Sequence, residues 1–340
     1  MHKVVRRILN HKYTTIDPDS LVEGSSIDFD CYIKRFDDYV IIIKAGTLIT
    51  AELASKIRQN KKLYVLNLLL DNVKAYCKQY GLTKIRNIQS VDEILPRVLS
   101  LNEQLREVTT VEKKIETVYQ TTVELMEAIF SEMSEKLPLN ALEICVEAIT
   151  ECLETDINVM SAVLHLTPNE YSTHHHSTNV AFFSAILGKA TGLTKKDLKD
   201  VTYAALLHDI GKIKIDQEIL IKTSYLENKE FEEVQRHSVF GLNILQANAI
   251  ENQKILDGVH YHHEKLDGKG YPDRLRGKRI PKVARIIGMC DAFDALTTNR
   301  TYRVNYSSYE ALMLMKQEMA QQFDEYYTDT FIRLLGASRK

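Results

Sequence analysis

Apolar residues recur every three or four positions through most of the chain beyond residue 95, which is the spacing of a helix with one buried face. The run from Pro96 to Pro138 predicts one long helix or two helices in line, and the run from Leu139 to Leu166 predicts a second amphipathic helix. A helix of that length either packs on its own chain or forms a homodimer through residues 96–137, and the pattern leaves both readings open.

The first ninety residues have a different pattern, in which short apolar runs alternate with turn residues. The β-branched run Tyr39 to Ile43 and the run Leu63 to Leu66 predict two short strands. Between them, Gly46-Thr47 predicts a turn and Thr50 an N-cap that starts a helix. Residues 69–80 follow helical spacing again.

These patterns together predict a mainly α fold with three parts. We expect a small α/β or α+β regulatory or interaction module over residues 1–90 and a helical connector over residues 91–166. An all-helical domain then covers residues 167–340. The candidate chemistry falls in this last part, because nine of the eleven histidines lie between His165 and His263.

Composition narrows the classes of function. The chain has 340 residues with 44 basic and 46 acidic side chains, and the resulting net charge of −2 argues against a partner that is a nucleic-acid polymer. No apolar run reaches the roughly 18–20 residues of a membrane span, and the amino terminus has no apolar signal core, so we expect a cytoplasmic protein. The five cysteines are scattered without a Cys-x-x-Cys pair, which favours reduced, buried thiols.

Histidines and aspartates interrupt several predicted helices at apolar positions. The capping box Thr167 to Glu170 starts a helix on which His176 shares the inward face with Val180 and Phe183. The pair His208-Asp209 follows a buried stretch directly, and a buried, unpaired carboxylate costs several kcal/mol unless a cation neutralises it. The remaining interruptions are His237, His262, His263 and Asp291.

Five helices that each place an imidazole or a carboxylate at an apolar position predict a metal cluster. Mixed nitrogen and oxygen donors without thiolate suit iron or manganese better than a structural zinc ion, and Asp209 can bridge two divalent ions. Two such ions about 3.5–4 Å apart are typical of sites that hydrolyse phosphate esters.

Two runs of sequence resemble a known family. His208 to Lys212, followed by His262 to Pro272, is similar to the motifs of the HD-GYP family of cyclic-di-GMP phosphodiesterases, and the likeness extends over about residues 167–336. The resemblance implies an all-helical HD-type bundle. It also implies two divalent ions, iron or manganese, held by His176, His208, Asp209, His237, His262, His263 and Asp291.

The resemblance implies a cyclic-dinucleotide substrate as well. The loop from Lys265 to Arg279 holds six basic residues beside the expected metal site. By likeness to the family, Lys212 lies near the scissile phosphate, and Gly270, Tyr271 and Pro272 shape the base and ribose pocket. Arg300 and Arg303 contact the other phosphate or a guanine, for which a guanidinium fork is well suited. The catalytic residues are expected to be Asp209, Lys212 and Glu170.

Two positions depart from the family pattern. Some members bind a third ion through a glutamate four residues before the first histidine ligand, where this chain has Ser172, and many have an aspartate at the position of Glu170. A neutral hydroxyl is a poor substitute for a carboxylate ligand. We therefore expect two ions, with hydrolysis of cyclic-di-GMP to pGpG and slow or no conversion to GMP. A catalytically silent cyclic-dinucleotide receptor and an HD-type nucleotidase are the alternative functions.

Overall fold

A computed structural model provides the structure of the protein. It describes residues 13–16, 21–35, 38–58, 63–66, 76, 79, 90–154, 159–167, 172–220, 222, 226–298 and 306–337. The chain divides into two compact units, one formed by residues 1–88 with 216–218 and the other by residues 89–215 with 219–340.

The described residues of the first unit include a four-stranded antiparallel sheet and helix α1. The strands are β1 Tyr13–Ile16, β2 Cys31–Arg35, β3 Asp38–Ile43 and β4 Leu63–Leu66, in the order β1-β4-β2-β3. Helix α1, Ala51–Arg58, begins after Thr50, whose Oγ1 accepts a hydrogen bond from the Leu53 amide at 3.2 Å. Phe29, Ile49 and Leu63 are fully buried in the core of this unit.

The predicted α+β module is confirmed, including the strands near residues 39–43 and 63–66 and the cap at Thr50. The sequence analysis did not identify β1 and β2. The helix predicted over residues 69–80 lies outside the described residues, except for Tyr76 and Gln79, which are helical.

The described chain beyond residue 89 is helical, as predicted. The helices are α2 Val91–Leu99, α3 Leu101–Glu107, α4 Val111–Glu132, α5 Leu139–Cys152, α6 Val159–Leu166, α7 Thr173–Ala190, α8 Lys195–Leu207, α9 Gln217–Leu220, α10 Asn228–Gln235, α11 His237–Ala247, α12 Gln253–Tyr261, α13 Lys282–Thr297, α14 Ser308–Gln317 and α15 Glu325–Ala337. Short 3₁₀ helices cover Ile210–Lys214 and Gly277–Arg279.

The run from Pro96 to Pro138, predicted as one long helix or two helices in line, is divided among three helices: the end of α2, then α3 and α4. The chain leaves helical geometry at Val108, and Thr110 adopts an extended conformation in which its side chain accepts a hydrogen bond from the Lys113 amide. A threonine N-cap therefore starts α4 anew. The helix predicted from Leu139 to Leu166 is likewise two helices, because α5 ends at Cys152.

Helix α4 packs on its own chain. Its apolar residues Ile115, Val118 and Leu125 are fully buried in one hydrophobic core that extends to the last helix. In that core the rings of Phe183 and Phe293 lie 5.4 Å apart. The residues proposed for a dimer contact thus already have partners within the chain, and the homodimer stays a prediction.

None of the helices in the described part of the chain combines the length and the apolar character that a bilayer crossing requires. The four described cysteines, Cys31, Cys145, Cys152 and Cys290, are buried thiols outside any disulfide, as the sequence predicted.

Candidate metal centre

The predicted metal ligands come together from five parts of the helical unit. His176 lies in the first turn of α7, the pair His208-Asp209 follows the end of α8, and His237 begins α11. His262 and His263 follow α12, and Asp291 lies in α13. Apart from Asp291, which lies inside α13, these side chains come from the ends of helices that pack against one another.

Hydrogen bonds fix which ring nitrogen of each buried histidine faces the cluster. The Nδ1 atoms of His208, His237 and His262 lie 2.7, 2.6 and 2.8 Å from the backbone carbonyls of Ala205, Val234 and Val259. A carbonyl oxygen only accepts, so each Nδ1 carries the proton and donates it. The lone pair of each neutral ring is then on Nε2.

The fourth buried histidine is fixed by a carboxylate. The Nδ1 atom of His176 lies 2.7 Å from Oδ2 of Asp294, which again directs Nε2 towards the cluster. The sequence analysis did not assign Asp294 a role. A signal for it existed, because an aspartate one helical turn after Asp291 in an apolar helix must also be buried.

The Nε2 atoms of the four buried histidines face one another in two pairs. Those of His176 and His208 are 3.3 Å apart, and those of His237 and His262 are 3.2 Å apart. Two lone pairs at that distance repel each other, and a cation between them removes the repulsion. Ligand atoms held about 2.1 Å from one ion are typically about 3.0–3.4 Å apart, so both separations fit shared coordination.

Asp209 lies between the two histidine pairs. Its Oδ2 is 3.6 Å from His176 Nε2 and 3.5 Å from His208 Nε2, while its Oδ1 is 3.5 Å from His237 Nε2. The potential ligand atoms form two groups, each within 4.8 Å, and both groups include this carboxylate. The groups are His176, His208 and Asp209, and Asp209, His237, His262 and His263.

Asp291 contacts both halves of the cluster. Its Oδ1 lies 3.2 Å from His176 Nε2, and its Oδ2 lies 3.6 Å from His263 Nδ1. The structure thus brings together all seven residues that the resemblance assigns to metal binding.

Burial and charge set the protonation states in this cluster. Burial lowers the pKa of His237 to about 4 and also lowers the pKa values of His208 and His262. Burial would raise the pKa of Asp209, but its neighbours, Lys212 first, outweigh burial and hold that pKa well below its usual range. At neutral pH these three imidazoles are therefore neutral and Asp209 is an anion, which is the donor set that a divalent cation prefers.

Two glycines allow the close backbone contacts that position these ligands. A Cβ at Gly211 would lie 1.9 Å from the carbonyl oxygen of His237, and a Cβ at Gly270 would lie 2.5 Å from that of His263. Both distances are far below van der Waals contact, so a side chain at either position would force the backbone next to His237 or His263 to shift.

The structure describes some of the residues that were predicted to contact the substrate. Lys212 Nζ lies 2.5 Å from Asp209 Oδ2 at the edge of the cluster, where 18% of its side chain is exposed. The ring of Tyr271 lies 4.6 Å from that of His263, which places the Gly270 to Pro272 segment beside the cluster. Glu170, Arg300 and Arg303 lie outside the described residues.

Glu264 anchors the loop that carries this segment, a role that the sequence analysis did not assign. Its carboxylate oxygens accept hydrogen bonds from the amides of Asp273 at 2.7 Å and Leu275 at 2.9 Å. Only 5% of Glu264 is exposed, and burial raises its pKa.

The remaining histidines of this region have other contacts. The Oγ atom of Ser172 lies 2.7 Å from Nδ1 of His175 and 3.2 Å from Nε2 of His174. His165 Nδ1 lies 2.7 Å from the Ser161 carbonyl, and His260 Nδ1 lies 3.5 Å from that of Ser238.

Comparisons with known proteins agree with this geometry. Residues 158–326 match the model of the HD domain family. The chain is 31% identical over 179 residues to a cyclic di-GMP phosphodiesterase of Pseudomonas aeruginosa, an alignment covering 53% of this chain and 43% of that protein. It is 36% identical over 162 residues to a 3'3'-cGAMP-specific phosphodiesterase of Vibrio cholerae, covering 47% of this chain and 37% of that protein. The chain thus spans less than half the length of these relatives.

A solved structure has a similar fold along most of the chain. It is an HDG"Y"P protein from Bdellovibrio bacteriovorus, with a TM-score of 0.60 and 18% identity over 95% of this chain and 99% of that one. Residues 158–326 of the helical unit form an HD domain, and this part of the chain is similar to cyclic-dinucleotide phosphodiesterases. HD-domain phosphohydrolases are metal-dependent, in keeping with the histidine and aspartate cluster.

Proposed function

We propose that this chain is a metal-dependent phosphodiesterase that hydrolyses cyclic-di-GMP to the linear dinucleotide pGpG in bacterial second-messenger signalling. The observation that carries the proposal is the close approach of buried Nε2 atoms, in two pairs beside the carboxylate of Asp209, at 3.3 and 3.2 Å. A buried arrangement of this kind is stable with cations in place.

The two groups around Asp209 support a site for two ions, iron or manganese. His176, His208 and Asp209 would hold one ion, and Asp209 with His237, His262 and His263 would hold the other, with Asp291 beside both. When bound, such ions make water a better nucleophile at neutral pH and stabilise the charge that develops in displacement at phosphorus.

Lys212 supplies a fixed positive charge at the edge of this site. Its ammonium lies 2.5 Å from Asp209 Oδ2, which places a strong donor where a phosphate oxygen of the substrate would approach the ions. Lys212 then neutralises charge on the phosphoryl group, and Glu170 with Lys212 delivers a proton to the departing 3′-oxygen. Arg300 and Arg303 bind the second phosphate or a guanine in this proposal.

The Gly270 to Pro272 segment borders the base and ribose pocket. Glu264 holds the following residues in place, so the loop presents a preformed wall to the ligand. The relatives named above act on cyclic di-GMP or on 3'3'-cGAMP according to their names, and we assign cyclic-di-GMP to this chain as the better represented of the two.

Ser172 supports pGpG as the main product. Its hydroxyl is within hydrogen-bonding distance of His174 and His175 and is neutral, so it offers a third cation little attraction. In the family, cleavage of pGpG has been associated with a three-metal arrangement. We therefore expect pGpG to accumulate.

The test uses the full chain, purified without oxygen and loaded with Mn²⁺ or Fe²⁺. Cyclic-di-GMP, 3'3'-cGAMP and a linear mononucleotide phosphate ester are incubated separately, and products are separated over time. The proposal expects cyclic-di-GMP to disappear fastest and pGpG to accumulate. Binding of cyclic-di-GMP without turnover would support the silent receptor instead, and preferred cleavage of the mononucleotide would support the nucleotidase.

A further inference from the structure

A line of buried hydrogen bonds extends from His176 into helix α4, which precedes the residues matched to the HD domain. Asp294 Oδ2 accepts from His176 Nδ1 at 2.7 Å, and Asp294 Oδ1 accepts from Asn179 Nδ2 at 2.8 Å. The hydroxyl of Tyr119, in α4, lies 2.7 Å from Asn179 Oδ1. No member of the line is more than 2% exposed.

The direction of each hydrogen bond follows from the chemistry of the groups. A carboxylate only accepts, so Asn179 must present its NH₂ group to Asp294 and its oxygen to Tyr119. An amide oxygen also only accepts, so Tyr119 donates. Thr167 Oγ1 lies 3.2 Å from the same amide oxygen, but it is closer to the Val163 carbonyl, at 2.9 Å, and has a single proton to give.

Tyr119 remains a donor over the whole working pH range. Burial and the nearby charge of Asp294 both raise the pKa of its hydroxyl. Its ring packs 5.9 Å from that of Phe182, so the tyrosine is held by α7 as well as by its hydroxyl. The position of α4 therefore determines where the hydroxyl points.

We propose that Asp294, Asn179 and Tyr119 are positioning residues that fix the ring of His176 as a metal ligand and thereby couple α4 to the metal centre. The inference rests on the metal site of the proposed function. A displacement of α4 would break the Tyr119 hydrogen bond and free the Asn179 amide to rotate. Asp294 would then lose a donor, and the orientation of His176 would be less defined.

The experiment measures Mn²⁺ affinity, which does not depend on turnover. The full chain is stripped with EDTA, dialysed and titrated with Mn²⁺, and free Mn²⁺ is read by its paramagnetic resonance signal. Loss of a partner to a ligating histidine commonly weakens metal binding about 10–100-fold, which is the loss expected for Asp294→Asn. Tyr119→Phe removes one hydroxyl that is two hydrogen bonds beyond Asp294, so we expect a smaller loss of Mn²⁺ affinity, about 2–10-fold.

Tyr203→Phe is the matched control, because Tyr203 is a buried tyrosine in α8 that is absent from the line. It should bind Mn²⁺ like the wild type, and thermal melts of both tyrosine variants separate a general loss of stability from a specific loss of affinity. In the double variant of Tyr119 and Asp294 the losses should be less than additive, because both act through His176.

Equal affinities of Tyr119→Phe and Tyr203→Phe, or strictly additive losses in the double variant, would overturn the coupling. If Asp294→Asn does not fold, the comparison of the two tyrosine variants decides alone. A wild-type chain that binds no Mn²⁺ would instead refute the metal site, so that failure is distinct from failure of the coupling.

Discussion

The metal-free protein should lose stability on mild acidification because of His237. Burial lowers the pKa of this side chain from 6.5 to about 4 in the folded protein. Between these two values the unfolded chain binds a proton that the folded chain does not. The stabilising contribution is therefore complete above pH 6.5 and is lost as the pH falls towards 4.

The magnitude follows from the two pKa values. Linkage between protonation and folding gives a loss of about 2 kcal/mol in the free energy of unfolding between pH 7 and pH 5 for this one histidine. The variant His237→Gln keeps a neutral polar side chain but does not titrate, so its stability should fall by about 2 kcal/mol less than that of the wild type over the same interval.

Urea unfolding of the EDTA-treated chain at several pH values measures this difference, and His165→Gln, at an exposed histidine of α6, controls for the removal of a histidine. Saturating Mn²⁺ should raise the stability of the wild type without reducing its pH dependence between pH 7 and 5, because a metal-bound nitrogen, like the buried neutral one, binds no proton in the folded protein. Parallel pH curves for the metal-free wild type and His237→Gln would refute the assigned burial and protonation of the cluster.

Two further substitutions test the site. Lys212→Met should keep its metal yet lose about 10²–10³-fold in turnover, the usual effect of removing one preorganised charge contact. The control Lys214→Met, at an exposed lysine of the same turn, should retain wild-type turnover. Turnover of Lys212→Met within a few-fold of wild type would contradict the role of Lys212. Gly211→Ala should lower the melting temperature and the Mn²⁺ affinity together, because its Cβ would lie 1.9 Å from the His237 carbonyl. Gly336→Ala has open space around it, and a Gly211→Ala protein indistinguishable from it would contradict the close contact.

The cluster was accessible to sequence analysis because its members interrupt apolar helices. His208 and Asp209 directly follow a run that must be buried, and a charged group at such a position requires a partner. The family resemblance then added His237 and Asp291 as predicted ligands. Their distance along the chain from His208 does not by itself show that they lie near it in the fold.

The hydrogen bonds that link His176 to Asp294, Asn179 and Tyr119 could not be predicted from the sequence in the same way. Asn179 is one polar residue among many in α7, and it faces Asp294 only because α7 and α13 pack side by side. In the sequence, Tyr119 has the spacing of an ordinary buried apolar residue of a helix. Hydrogen bonds between three helices depend on their packing, which periodicity does not specify.

The start of α4 has a local signal in the sequence. Thr110 precedes Val111 as an N-cap, and its side chain accepts a hydrogen bond from the Lys113 amide. Apolar spacing continues through this point because α2 and α4 both face the same core, so periodicity alone does not locate the breaks between the helices.

The most direct test of the account is metal content and cyclic-di-GMP hydrolysis measured on the same samples of the wild-type chain and of Asp209→Asn. The substitution keeps the size of the side chain but removes the anionic oxygens between the two histidine pairs. We predict two Mn²⁺ or Fe²⁺ ions per wild-type chain with formation of pGpG, and loss of both metal and turnover in a variant that remains helical. A wild-type chain without metal, or Asp209→Asn with wild-type metal content and turnover, would contradict the account.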